Sequence, residues 1–189
     1  MRNKRTLEIT TISIFAALIV VMATVPMLGF IQLGVVSLTI IHIPVLIGGI
    51  FGGKKVSISL GLVFGLSSFA IAWIRPSAPT DFLFQNPIIS VLPRVLFGWA
   101  IYEVYELFTK YIKKEYLAIS LSMIVSTILH TIFVIVPLFI IGGGATAFGS
   151  ALLPFFYAVM TANGIFEALA AGLIAGPIAW RLKVYKETM

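Results

Sequence analysis

KYIKKEYLAISLSMIVSTILHTIFVIVPLFII, from Lys110 to Ile141, opens with three lysines and a glutamate and then runs through residues 117–141 without an aspartate, glutamate, lysine or arginine. A bilayer's hydrocarbon core needs roughly 20 apolar helical residues to cross it, so this run is long enough to span. Comparable apolar stretches cover residues 7–30, 35–51, 56–74, 87–108 and 152–180. The whole chain of 189 residues is 60% hydrophobic and only 11% charged, with a mean hydropathy of +1.09. An ordinary soluble domain carries roughly 25% charged residues, which excludes a soluble single-core protein. The sequence therefore predicts an all-α integral membrane protein with six transmembrane helices, forming a single membrane domain over residues 1–189.

The lysines and arginines define the expected orientation. Arg2, Lys4 and Arg5, then Lys54 and Lys55, then Lys110, Lys113 and Lys114, then Arg181, Lys183 and Lys186 occupy alternate ends of the apolar runs, and together they make eleven of the thirteen basic residues. The positive-inside rule places those ends, and both termini, in the cytoplasm. A net charge of +6 and a pI near 9.7 thus reflect topology; no basic patch interleaved with aromatics supports nucleic-acid binding. The first apolar run reads as a retained span rather than a removed signal, because it is long for a signal core and has no small-x-small site around residues 22–26.

Sequence signals for catalysis are absent. The chain has no cysteine, and its only histidines, His42 and His130, lie on different spans. It contains no H-E-x-x-H, G-x-S-x-G or phosphate-binding glycine loop, and no cluster for a metal or cofactor is expected. The informative residues are instead polar groups at membrane depth. Arg94 lies eight residues past Asn86, on the order of 12 Å into the fourth span, where a guanidinium needs an anion. Two partners are open: Glu167 at comparable depth, or the carboxylate of a bound ligand. Pro93 weakens the helix beside it and could free a carbonyl. Asn86, before Pro87, can cap the fourth span or turn its amide to a ligand. His42, His130 and Asn163 share the same outer half, either as interhelical hydrogen-bonding groups or as pocket residues. Trp73 and Phe84 could supply apolar walls.

Small residues recur at four-residue spacing: Gly164, Ala168, Gly172 and Gly176 on the last span, and Gly61 and Gly65 on the third. Such stripes allow close helix approach, and packing within the bundle is the expected use. On the first span Ser13 and Ala17 sit toward the cytoplasmic end, where the face could meet another protein.

These features resemble the substrate-binding S components of energy-coupling factor (ECF) vitamin transporters. The resemblance covers nearly the whole chain and rests on Ser13-Ile-Phe-Ala-Ala17, Ile41-His-Ile-Pro-Val-Leu-Ile-Gly-Gly49, Gly61-Leu-Val-Phe-Gly65 and above all Asn86-Pro-Ile-Ile-Ser-Val-Leu-Pro-Arg94. The last segment is similar to the signature of the subfamily that holds pantothenate-type components. The resemblance implies a non-enzymatic subunit of a bacterial cell membrane that binds a vitamin from outside. It also implies docking on a module of one transmembrane coupling subunit and two ATPases. The family's A-x-x-x-A docking motif finds its best match at Ser13 and Ala17, with Ala16 beside it. For pantothenate, Arg94 would anchor the carboxylate, with Asn86, His130, Asn163 and Thr39 as hydrogen-bond partners and His42, Trp73 and Phe84 around them. If Glu167 neutralises Arg94, an uncharged vitamin such as pyridoxine or a hydroxymethylpyrimidine fits better; a stand-alone secondary transporter is the alternative from another class.

Overall fold

The computed structural model describes residues 4–26, 28–33, 36–76, 79–141 and 164–188. In chain order these residues form helix α1 (Lys4–Thr24), a two-stranded hairpin of β1 (Phe30–Leu33) and β2 (Val36–Thr39), and helices α2 (His42–Gly52) and α3 (Lys54–Ile74). A 3-10 segment (Pro79–Gln85) leads into α4 (Pro87–Ser90), α5 (Leu92–Tyr111) and α6 (Glu115–Ile141). The last described span, α7 (Gly164–Lys186), contains a π-helical turn at Ala171–Ala175.

Among the described residues, five segments are long and apolar enough to cross a bilayer: α1, α3, the α4–α5 pair, α6 and α7. The helical membrane architecture expected from the sequence is therefore present, with one difference in the second apolar run. Its N-terminal part, Val36–Thr39, is a strand, and only the 11 residues of α2 are helical. Those span about 16 Å at 1.5 Å per residue, well short of a full crossing. The hairpin pairs Phe30 with Thr39 and Leu33 with Val36. Its base is closed where the Ile40 and Ile41 N–H groups donate to the Gly29 carbonyl at 2.9 and 3.3 Å.

α2 is the centre of the bundle. Every residue from Pro44 to Ile50 is buried, because α1, α3, α5 and α7 surround it. A reversal at Gly53, with φ of 87°, passes the chain into α3; this left-handed conformation suits glycine alone without strain. By contrast α1 is peripheral. Only Thr11, Ile19 and Ala23 are buried, and Ile9, Ile14, Leu18 and Val21 project outward.

The glycine stripes do the packing expected of them. A Cβ on Gly61 would strike the Arg94 carbonyl oxygen and stand 3.0 Å from the Gly98 Cα, so α3 and α5 touch backbone to backbone there. Ser57 Oγ donates to the Gly98 carbonyl at 2.5 Å in the same contact. On α7, Gly172 faces Ile124 and Gly176 faces Ser120, which brings α6 equally close.

The basic clusters gather at one end of the bundle. Lys54 pairs with Glu103, Lys183 with Glu115 and Tyr105, and the Lys186 ammonium donates to the Phe51 carbonyl at 2.9 Å. Arg94 lies 16 residues before Lys110, about 24 Å away along α5, toward the opposite end.

Candidate functional site

The local chain around Arg94 is built by two prolines and an asparagine. Asn86 Oδ1 accepts from the Ile88 N–H at 2.9 Å and Pro87 takes the first helical position, so Asn86 caps α4. Gln85 Nε2 donates to the Ala72 carbonyl at 3.0 Å, which ties the 3-10 segment to the end of α3. Pro93 has no N–H, and the carbonyl left without its i+4 donor is that of Ile89. Arg94 takes it: Nη1 donates to the Ile89 oxygen at 2.8 Å. The carbonyl that the sequence suggested would be freed toward a ligand is thus occupied by the neighbouring guanidinium.

That guanidinium is 4% exposed and lies between two aromatic faces, 4.9 Å from the Phe84 centroid and 5.5 Å from that of Phe64. Each such contact contributes on the order of 0.5–2 kcal/mol when desolvated. Phe64 in turn lies 5.6 Å from His130, and Phe97, one turn along α5 from Arg94, lies 4.6 Å from it. His130 and His42 stack at 6.1 Å with an interplanar angle of 16°. Five elements therefore converge: α2, α3, the 3-10 segment, α5 and α6.

Glu167 on α7 closes the cluster. It does not form an ion pair with Arg94, although it is near enough to act on it coulombically. Instead Glu167 Oε1 accepts from the Thr39 N–H at 2.6 Å, reaching from α7 to the end of the hairpin. The backbones of Thr39 and Glu167 both lie beside the His42 ring. The choice left open in the sequence is resolved in one respect: the only deep carboxylate engages a backbone amide.

What remains is a concentration of buried polar atoms without hydrogen bonds. Arg94 Nε and both ring nitrogens of His42 and of His130 lack partners among the described residues, as do the hydroxyls of Ser68 and Ser126. Buried polar atoms are normally satisfied, and each exception asks for a reason. Those of Arg94, His42 and His130 cluster, offering a cationic donor and, on each neutral imidazole, one donor and one acceptor. The described residues contain no group of three or more metal-binding side chains.

The sequence expectations fare unequally. Arg94, His42, His130, Phe84 and the backbone of Thr39 are brought together. Trp73 is not among them: it is 60% exposed and packs edge-on against Phe69. A tryptophan at the end of a span belongs to the membrane–water interface belt, which accounts for its outward position. Asn163 lies outside the described residues. Ser13 and Ala17 are exposed on α1 and Ala16 is half-buried, with Ser13 Oγ donating to the Ile9 carbonyl. Phe64 and Phe97 were missed; Phe97 follows Arg94 at the i+3 spacing that puts both on one helix face, the one signal that could have singled it out.

A family model described as "ECF transporter, substrate-specific component" matches residues 7–179. The chain is 33% identical over 102 residues to a protein of Leuconostoc mesenteroides named pantothenate transporter PanT, covering 52% of this chain and 50% of that protein. It is 28% identical over 198 residues to the pantothenic acid transporter PanT of Lactococcus lactis, covering 94% of each.

Proposed function

Because the chain belongs to the family of ECF transporter substrate-specific components, we propose that it is the subunit that captures pantothenate at the outer face of a bacterial cell membrane for ATP-driven import. Two relatives named for pantothenate or pantothenic acid support the vitamin. The observation that carries the reading is Arg94: a buried guanidinium with no carboxylate bound to it, one side chain nitrogen unpartnered, and aromatic walls on two sides. A buried cation in that condition is completed by an anionic ligand.

In this reading the ligand carboxylate meets Arg94, and His42 and His130 take up hydroxyl and amide groups, each ring serving as donor or acceptor through its tautomer. Asn86 holds the mouth of α4, and Asn163 is a further candidate contact. The lysine-rich end and both termini face the cytoplasm. The exposed Ser13–Ala17 face of α1 docks on the transmembrane coupling subunit, whose two ATPase partners hydrolyse ATP; this chain performs no catalysis.

The test is a titration of the purified chain with pantothenate and with panthenol, in which the carboxylate is replaced by a neutral alcohol. Losing a hydrogen bond to a charged group costs about 1.5–3 kcal/mol, so panthenol should bind roughly 10- to 100-fold more weakly. Equal affinities would remove Arg94 from the anchor role and favour an uncharged vitamin.

A further inference from the structure

Glu167 is a carboxylate at membrane depth, 8% exposed, on the span that follows the undescribed segment. A charged group there is expensive and is retained where it has a task. One task is visible. Oε1 holds the Thr39 N–H at 2.6 Å, across 128 residues of sequence, and so fastens the end of the hairpin three residues before His42. A carboxylate offers about four acceptor sites, and this bond uses one. The second oxygen has no hydrogen-bond partner among the described residues, and it is not one of the fully enclosed atoms. Glu167 borders the cluster of Arg94 and the two histidines, because its backbone and that of Thr39, to which it is bonded, lie beside the His42 ring.

The site therefore has two poles. Among the described residues, Arg94 Nε is a donor that lacks an acceptor, and Glu167 Oε2 is an acceptor that lacks a donor. A simple carboxylate would satisfy the first and be repelled by the second. A ligand that carries an anionic end and a hydroxyl end satisfies both, with the hydroxyl donating to the glutamate.

We propose that Glu167 is a substrate-binding residue that determines specificity for the hydroxylated end of the ligand, its free oxygen accepting a ligand O–H while its other oxygen secures the hairpin at Thr39. This deepens the reading above and rests on it. Hydroxyl recognition and the placement of the hairpin over His42 then pass through one side chain, so a ligand without hydroxyls loses both the bond and part of the order at the site's edge.

The experiment is a two-by-two comparison by calorimetry. Pantothenate and an analogue with both hydroxyls replaced by hydrogen are titrated into the wild-type chain and into Glu167→Ala. Both ligands carry the carboxylate, so the effect of the lost negative charge on Arg94's attraction for that end cancels in the ratio. The wild type should prefer pantothenate by about 10- to 100-fold, as expected for a hydroxyl bonded to a charged acceptor. In Glu167→Ala the preference should fall to roughly 2- to 5-fold, the share left to hydroxyl bonds with the two histidines. Should the alanine variant fail to fold, Glu167→Gln keeps an acceptor for the Thr39 N–H, and its preference should fall to roughly 3- to 10-fold, a neutral bond being about half as strong. A preference left at the wild-type value in the folded variant overturns the assignment of Glu167 and leaves the pantothenate reading standing. A wild-type chain that binds neither ligand overturns the pantothenate reading, and this one with it.

Discussion

Gly61→Ala adds one methyl group at the closest point of the α3–α5 contact. Its Cβ would overlap the Arg94 carbonyl oxygen and stand 3.0 Å from the Gly98 Cα, both of them backbone atoms that no side-chain rotation can move. An ordinary contact begins near 3.4 Å, so α5 must retreat by at least about 0.4 Å at Gly98, and by more at Arg94. Overpacking of this kind costs about 1–3 kcal/mol, which for a chain of this size lowers the apparent Tm by roughly 3–10 °C. The shift also moves the Arg94 backbone away from Phe64, which rides on α3. Losing part of a charge-assisted bond should weaken pantothenate binding by roughly fivefold to tenfold. Gly172→Ala is the control. Its Cβ would meet the Ile124 side chain at 2.6 Å, and an isoleucine can repack, so a smaller Tm loss and near-normal affinity are expected. The assays are thermal unfolding in detergent and calorimetric titration of each variant. Wild-type affinity and Tm in Gly61→Ala, or equal losses in both variants, would refute the argument that this contact positions Arg94.

Two further outcomes follow from the fold. Asn86→Ala removes the cap on α4 and should cost about 1 kcal/mol of stability, recovered in Asn86→Ser because serine caps comparably; a Tm unchanged by alanine would show that the 2.9 Å bond to Ile88 does not hold the helix start. Ala17→Trp places a large side chain on the exposed face of α1 and should abolish ATP-dependent uptake in cells while leaving vitamin binding by the purified chain intact; normal uptake would remove that face from the docking role.

The membrane spans were legible because the bilayer imposes a length, and a run such as 117–141 admits few other readings. The hairpin was not, since Val36–Thr39 reads Val-Ser-Leu-Thr, an alternation too short to set a strand apart at the start of a longer apolar run. Depth along a helix can be counted from the sequence, which is why Arg94, His42 and His130 could be assigned to one level. Rotation about the helix axis cannot, and the pairing of Glu167 with the Thr39 amide instead of with Arg94 depends on it. The π turn at Ala171–Ala175, four residues beyond Glu167, further shifts the face that α7 presents. Phe64 and Phe97 were lost among 15 phenylalanines, any of which can face lipid. Trp73 was ambiguous because an aromatic next to a polar loop fits a pocket wall and an interfacial anchor equally well.

The bond from Arg94 to the Ile89 carbonyl has a consequence for biogenesis. The segment that carries it, Pro87–Tyr111, has a mean hydropathy of 1.3 over its 18-residue spanning window, the lowest of the five spanning segments described. During synthesis it must partition into lipid, and an arginine disfavours that step by roughly 2.5–3.5 kcal/mol at a helix centre. Its counter-group lies only five residues back in the same segment, so this hydrogen bond can form before α6 or α7 has been made. Pro93 thus equips the least hydrophobic span to enter the bilayer with its cation already partly solvated by its own backbone.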